Sequence, residues 1–93
     1  MATVRFPNVM KFYVDNRSEF TVRASSVEEL IERVIEQYPV IKPHLLDSNG
    51  SLRRYFNIFV NGTHIRDLDG LATRLADEDR VILMASAAGG KNR

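Results

Sequence analysis

The sequence predicts an α+β domain in which a five-stranded mixed sheet is covered on one face by one long helix. Three observations lead to this fold class: short segments of β-forming residues lie in both halves of the chain, an amphipathic helical pattern occupies positions 27–38, and the last strand-like segment is apolar on both faces. The chain has 93 residues, of which 44% are hydrophobic and 27% charged. This is enough for one core, and therefore for one domain.

The first two strands are predicted to form a hairpin. Residues 3–6 alternate polar and apolar side chains and stop at Pro7, and residues 19–24 alternate in the same way. Turn-forming residues at 15–18 join the two segments. The connecting loop also contains three apolar residues that such a hairpin does not explain: Met10, Phe12 and Tyr13.

The long helix is predicted to begin after Ser26. Ser26 and Glu29 have the spacing of a capping box, in which the serine hydroxyl accepts the amide of Glu29 and the glutamate carboxylate reaches back. Apolar residues then recur at helical spacing as far as Tyr38, opposite a charged face, and Pro39 ends the helix. A short second helix or turn is expected next, with Pro43 in its first turn.

The second half of the chain predicts another hairpin and a final strand. Residues 55–60 are rich in β-formers and run into Asn61-Gly62, a strong hairpin signal because both residues tolerate positive φ. A short return strand at 63–66 and one helical turn near 71–75 follow. The final strand, 80–85, is apolar on both faces, so we expect it inside the sheet, between the first and third strands.

The composition excludes several classes of function. The absence of cysteine rules out a disulfide framework, a thiolate nucleophile and a cysteine-based zinc site, so that any sulfur chemistry must use sulfur supplied from elsewhere. A formal charge of +1 is far from the basic excess of nucleic-acid-binding proteins. The N-terminal residues lack a signal-peptide pattern, and no apolar stretch is long enough to span a bilayer. We therefore expect a cytoplasmic protein with no nucleic-acid or membrane partner.

No group of residues predicts catalysis. His44 and His64 have no evident carboxylate partner, and the acidic residues at 67–79 depart from the calcium-loop pattern. We therefore predict no catalytic residues and no metal site, and a protein that is not an enzyme. Five arginines are equally compatible with a basic rim for an acidic partner and with a solvated face: Arg53, Arg54, Arg66, Arg74 and Arg80.

A tail of small residues follows the last strand. We expect residues 1–86 to form the domain and residues 87–93 a flexible tail, because Ala87, Ala88, Gly89 and Gly90 cannot pack a core. Five extended residues, 86–90, reach about 17 Å, enough to enter a cleft in another protein. Glycine has no Cβ to obstruct the approach of another molecule to the backbone at Gly90. Considered alone, the Gly-Gly pair is also compatible with a frayed end.

Strand alternation predicts a surface beside this tail. If the side chains at 56, 58, 60, 81 and 83 face the helix, those of Tyr55, Phe59, Ile82 and Met84 face away from it. We call these four residues the outer-face patch and predict that they bind a partner protein. In the alternative, loops of the chain itself cover them, with Met10 and Phe12 as candidates.

The order of these elements, ending in Gly-Gly, is similar to that of the ubiquitin-like (β-grasp) sulfur carriers of the MoaD/ThiS family. The resemblance covers nearly the whole chain and is strongest from residue 56 to residue 90. It is most specific to the CysO-type branch, which delivers sulfur for cysteine synthesis. Four segments carry it: Phe56-Asn57-Ile58-Phe59-Val60-Asn61-Gly62, Gly70-Leu71-Ala72-Thr73, Ala76-Asp77-Glu78-Asp79-Arg80-Val81 and Ala88-Gly89-Gly90.

The resemblance implies a carrier with its reactive carboxyl group on Gly90. In the family, an adenylating (ubiquitin-activating-like) enzyme uses ATP to form an acyl adenylate, which sulfur converts to a thiocarboxylate, so no cofactor is expected to stay bound to the carrier. The family pattern ends at the second glycine, whereas Lys91-Asn92-Arg93 follows here. This departure implies a precursor that a JAMM-type metalloprotease cuts between Gly90 and Lys91. The third implied partner is a sulfur-accepting biosynthetic enzyme.

Two other functions remain open at this point. A ubiquitin-like modifier, conjugated to lysines through Gly90, would use the same tail and the same adenylation. A β-grasp interaction module would leave the tail idle. The sequence does not identify the sulfur acceptor, which could belong to the synthesis of cysteine or of another sulfur-containing metabolite.

Overall fold

The structure, a computed structural model, describes residues 1–85, except for the side chain of Val9. The strands are β1 (Ala2–Arg5), β2 (Glu19–Val22), β3 (Phe56–Val60), β4 (Thr63–His64) and β5 (Arg80–Ala85), and the helices are α1 (Val27–Gln37) and α2 (Lys42–Leu45). Short 3₁₀ helices lie at Asn8–Val14, Pro39–Ile41, Ile65–Asp67 and Gly70–Ala72.

The five strands form one mixed sheet in the order β2-β1-β5-β3-β4. β5 runs parallel to β1 and antiparallel to β3, which confirms its predicted position between the first and third strands. Val27, Leu30, Ile31 and Val34 of α1 are buried in one core cluster with the inward side chains of the strands. This is the predicted β-grasp fold, and β5, the last described element, lies in the middle of its sheet.

The predicted capping box starts α1, with one difference. The Ser26 hydroxyl accepts a hydrogen bond from the Glu29 amide at 3.1 Å, as expected. The Glu29 carboxylate reaches back one residue further, to Ser25, and accepts from its backbone amide at 2.6 Å and its hydroxyl at 2.9 Å. The backbone of Ser25 also accepts from the amide of Leu75 at 2.9 Å, so the cap is tied to the segment that precedes β5.

The loop that joins β1 to β2 contains a 3₁₀ helix, and this helix buries two of the apolar residues of the loop. Met10 and Val14 lie four residues apart and are buried, with exposed fractions of 3% and 0%. Phe12 lies on the opposite side and is 84% exposed. The turn into β2 uses Asp15 and Asn16 with φ of 57° and 60°, values that such polar residues tolerate.

The second hairpin turns at Asn61-Gly62, as predicted, with φ of 50° and 89°. Its return strand β4 has only two residues, fewer than the four expected. The chain leaves the sheet at Ile65, which is buried and begins a 3₁₀ helix. Within residues 1–85, no helix combines the length and the apolar composition that a membrane span requires.

Candidate functional site

The predicted reactive residue Gly90 lies outside the described residues, together with Ala87, Ala88, Gly89 and Lys91. The proposed tail and cleavage point therefore stay predictions. The structure does describe the strand that leads to them and the surface around its end.

The start of β5 is held by hydrogen bonds from two neighbouring segments. Asn61 donates its backbone amide to the carbonyl of Arg80 at 2.8 Å, and its side-chain oxygen accepts the Arg80 amide at 3.0 Å. On the other side, the Thr3 amide donates to the carbonyl of Asp79 at 3.0 Å. Val81 and Leu83 are buried, so sliding the strand by one residue would bring outward-facing residues into the core. The register of β5 therefore fixes the position of Ala85, the last described residue.

Two cavities flank the last two residues of β5. One of about 170 Å³ has Ala85 in its wall, and the other, of about 280 Å³, has Met84. The first is completed by Met10, Tyr13, His44, Tyr55 and Phe56, and the second by Arg5, Phe6, Pro7, Asn8, Ile82 and Leu83. Met84 and Ala85, the last two described residues, therefore each lie beside a concave surface.

Three residues of the outer-face patch face away from the core, as the alternation predicted. Phe59 and Ile82 are directly opposite each other on β3 and β5 and are half-buried. Met84, two residues further along β5, is 54% exposed. Their neighbours Ile58 and Leu83 are buried against the core.

The fourth predicted residue, Tyr55, lies in a different environment. β3 begins at Phe56, so Tyr55 belongs to the preceding turn rather than to the strand. Its hydroxyl donates to the carbonyl of His44 at 3.1 Å, and its ring centroid is 4.9 Å from that of Phe56. Tyr55 remains 37% exposed, but it borders the cavity at Ala85.

A hydrogen-bonded histidine borders the patch at the edge of the sheet. The ring of His64 meets that of Phe59 edge to face, with centroids 5.0 Å apart. Its Nδ1 accepts the amide of Arg66 at 3.1 Å, which places the ring hydrogen on Nε2, and Nε2 lies 3.0 Å from Oδ1 of Asn57. These contacts hold the ring beside Phe59 and account for the half-buried state of that residue.

The two loop residues considered as a cover for the patch do not cover it. Met10 belongs to the core cluster, and Phe12 is almost fully exposed. Tyr13 stacks on His44, with ring centroids 4.2 Å apart, in the wall of the cavity at Ala85, a contact that the sequence did not predict. The spacing of Met10 and Val14 was the available signal for the helical turn that contains Tyr13, because apolar residues four apart indicate one face of such a turn.

Two of the five arginines considered as a basic rim have partners within the protein. Arg53 donates its Nε hydrogen to the carbonyl of Pro43 at 2.9 Å, and Arg80 forms an ion pair with Glu19 at 2.7 Å. These contacts favour a structural role for both. Over residues 1–85, no three histidine, aspartate or glutamate side chains converge as a metal site would require.

Within residues 1–85, two carboxylates have a shifted pKa, and both lie at junctions of the scaffold. Hydrogen bonds from the backbone amide and hydroxyl of Ser25, helped by the charge of Arg33, lower the pKa of Glu29 below its ordinary 4.5. Hydrogen bonds from the amide of Ala76 and the side chain of Asn61 lower the pKa of Asp79 below its ordinary 3.8. Glu29 therefore stabilises the start of α1, and Asp79 stabilises the segment before β5.

Comparison with known proteins gives a consistent result. Residues 8–90 match the ThiS family, so the matched region ends at the second glycine. The sulfur carrier protein CysO of Mycobacterium tuberculosis (strain ATCC 25618 / H37Rv) is 31% identical over 90 residues, which cover 95% of this chain and 97% of that protein.

Solved structures agree on the fold. A chain in the crystal structure of the Amycolatopsis orientalis BexX/CysO complex aligns with a TM-score of 0.86 and 26% identity, over 97% of this chain and 100% of that one. The small archaeal modifier protein 1 of Methanosarcina acetivorans aligns with a TM-score of 0.85 and 23% identity, over 96% of this chain and 95% of that one. The latter likeness concerns the fold alone.

Proposed function

The chain belongs to the ThiS family, and we propose that it carries sulfur as a thiocarboxylate on Gly90. The observation that carries the proposal is the family match, which covers residues 8–90 and therefore ends at Gly90. The fixed register of β5 supports it, because a carrier must present its reactive end at a constant place relative to the surface that its partners bind.

The proposed chemistry begins with a free carboxylate. Hydrolysis of the peptide bond between Gly90 and Lys91, by a JAMM-type metalloprotease, releases it. A Gly90 oxygen then attacks the α-phosphorus of ATP in an adenylating enzyme, and pyrophosphate leaves. Hydrosulfide attacks the acyl carbon of the adenylate, AMP leaves with the bonding electrons, and the thiol proton is lost to solvent, giving the thiocarboxylate.

Delivery of the sulfur needs an electrophilic acceptor. The thiocarboxylate sulfur attacks a carbon of the acceptor bound in its biosynthetic enzyme, and the acceptor loses its leaving group. Hydrolysis of the resulting thioester leaves sulfur on the acceptor and restores the Gly90 carboxylate. Every catalytic group in this cycle belongs to the partners, so the chain acts as a substrate and carrier rather than as an enzyme.

The outer-face patch provides the affinity that a narrow tail lacks. Phe59, Ile82 and Met84 lie on the strands next to the start of the tail, and Met84 presents an exposed apolar side chain. The similarity to a chain in the BexX/CysO complex supports docking on a partner protein. We propose that the adenylating enzyme and the sulfur-accepting enzyme bind this surface one after the other.

Intact-mass spectrometry tests the proposed function. A chain that ends at Gly90 is incubated with the adenylating enzyme, ATP and sulfide, with ATP omitted as the control. We expect a mass increase equal to the replacement of one oxygen by one sulfur. A ladder of heavier lysine-linked adducts, without that increase, would establish the modifier function instead, and an unchanged mass would reject both.

A further inference from the structure

An exposed groove also lies on the helix-covered side of the sheet, away from the outer-face patch. Its cavity measures about 110 Å³. One wall is the side of α1 where its charged and apolar faces meet, and the other is formed by the loop after α2 and by the 3₁₀ helix Gly70–Ala72. Six of its lining residues matter here: Glu28, Glu32, Ile35, Leu46, Leu52 and Leu71.

The floor of the groove is apolar and reachable from solvent. Ile35, Leu46 and Leu52 pack against the core without being fully buried. Leu71 is 36% exposed although its neighbours in the groove are apolar. A cavity of this size is too small for a typical cofactor or metabolite, whose pockets measure roughly 300–1,000 Å³. It can accept one aliphatic side chain.

The charges of α1 are sorted between its two sides. Arg33 pairs with Glu29 at 3.4 Å and with Glu36 at 3.2 Å, so these two glutamates already have a cationic partner. The side chains of Glu28 and Glu32 are exposed, and their carboxylates have no hydrogen bond or ion pair within residues 1–85. They lie four residues apart, where like charges repel each other. Both unpaired carboxylates stand on the rim of the groove.

We propose that this groove, which we call the helix-side groove, is a docking site for a partner polypeptide. The partner segment presents one aliphatic side chain, such as leucine, flanked by lysine or arginine. The aliphatic group fills the space between Ile35 and Leu71, and the basic groups pair with Glu28 and Glu32. The unsatisfied negative charge beside an apolar floor is the feature that selects this partner chemistry.

The position of the groove gives the contact a distinct consequence. α1 packs on one face of the sheet, whereas Phe59 and Met84 lie on the other. A protein bound at the helix-side groove therefore leaves the outer-face patch accessible. The carrier can be held by one protein while a second engages the opposite face, and this inference stands whether or not Gly90 receives sulfur.

An NMR titration of the full chain tests the proposal with a defined probe. The probe is the capped peptide Gly-Lys-Leu-Arg-Gly, and the controls are Gly-Lys-Ser-Arg-Gly and Gly-Glu-Leu-Glu-Gly. We expect saturable shifts at the amides of Glu28, Glu32 and Leu71 with the probe, and weaker binding of both controls. Shifts confined to other surfaces, equal binding of all three peptides, or no saturable shift would overturn the proposal.

A pair of matched variants isolates the charge contribution. Glu32→Gln and Glu36→Gln make the same change on the same helix, but only Glu32 lines the groove. We expect Glu32→Gln to weaken binding of the probe peptide about two- to fivefold, as for the loss of one exposed ion pair. Glu36→Gln should leave binding of the probe unchanged. Equal effects of the two variants would contradict docking at the groove. The proposal would also be overturned if the chain self-associates with rising concentration and Leu71→Ser abolishes this association, because the occupant of the groove would then be a second copy.

Discussion

The side-chain amide of Asn61 donates a hydrogen bond of 2.9 Å to the carboxylate of Asp79, eighteen residues further along the chain. The other carboxylate oxygen of Asp79 accepts the amide of Ala76 at 2.7 Å. This contact joins the turn between β3 and β4 to the residue that precedes β5. It therefore holds the start of the central strand from which the tail continues.

Replacing Asn61 should destabilise the domain through two separable effects. Asn61→Ala removes both side-chain hydrogen bonds and places a Cβ-bearing residue with no local polar side chain at a φ of 50°. We expect a loss of about 1–2 kcal/mol in the free energy of unfolding, measured by urea denaturation. Asn61→Gly removes the same hydrogen bonds, but glycine adopts a positive φ without strain, so the loss in free energy of unfolding should be smaller. Equal losses would show that the backbone angle contributes nothing.

The domain should lose stability in acid through Glu29 and Asp79. Folding lowers the pKa of both carboxyls below their ordinary values of 4.5 and 3.8. Their contribution is therefore complete above those values and is lost as the pH falls through the lower, folded-state values. Unfolding curves of the wild type and of Glu29→Gln or Asp79→Asn should be farthest apart near neutral pH and should approach each other as the pH falls below the ordinary values of 4.5 and 3.8.

The matched control for this experiment is Glu28→Gln. It removes the same charge from the same helix, at a carboxylate that accepts no hydrogen bond within residues 1–85. Because this variant removes no side-chain hydrogen bond, we expect its unfolding curve at neutral pH to stay close to that of the wild type. Convergence of all three variants with the wild type to the same extent would show that net charge, and not these hydrogen bonds, sets the acid dependence.

Local patterns predicted those parts of the fold whose cause is local. The capping serine Ser26, the turn at Asn61-Gly62 and the two-sided apolar strand β5 each have a short-range signature, and the structure confirms all three. The family resemblance, which the comparison supports, also depended on such segments. Together, these patterns and the resemblance predicted that β5 lies inside the sheet and that Phe59 and Met84 face away from the core.

The features that were missed depend on contacts between distant segments. Residues 73–75 pair with the start of α1, where Glu29 bonds to Ser25, and no local window of sequence contains this pairing. Tyr55 leaves the strand alternation because its hydroxyl meets the carbonyl of His44, eleven residues earlier. The helix-side groove was missed for the same reason, since Leu71 and Glu32 come together only in the folded chain.

Substitutions on the outer-face patch should weaken binding to the adenylating enzyme while the fold stays cooperative. Met84→Asp changes a side chain that is 54% exposed, so we expect little loss of stability and roughly a tenfold or greater loss of affinity, measured by calorimetry. Phe59→Asp should have the same effect on affinity with a somewhat larger loss of stability, because Phe59 is half-buried and contacts His64.

Thr21→Asp serves as the control for these patch variants. Thr21 is an exposed residue of the edge strand β2, two strands away from β5, and receives the same negative charge. Its affinity for the adenylating enzyme should match that of the wild type. If Phe59→Asp does not fold, Phe59 belongs to the core; if Met84→Asp folds and binds normally, the patch does not contact this partner.

Cleavage between Gly90 and Lys91 should be obligatory for activation. An acyl adenylate forms only on a free carboxylate, and in the full sequence the Gly90 carboxyl group is part of the peptide bond to Lys91. The full chain should therefore remain unchanged with ATP, sulfide and the adenylating enzyme. A chain that ends at Gly90 should acquire the thiocarboxylate without any protease, as measured by intact mass.

A third version of the chain, Gly90→Ala ending at residue 90, tests why glycine occupies the last position. It has the free carboxylate, but its Cβ lies next to the carbonyl carbon that the nucleotide and the sulfur donor must approach. Small displacements of reacting atoms cost large factors in rate, so we expect activation at least tenfold slower, with binding to the adenylating enzyme nearly unchanged because Met84 and Phe59 are intact. Equal rates for glycine and alanine would remove the steric argument, and activation of the full chain with Lys91-Asn92-Arg93 attached would defeat the precursor hypothesis.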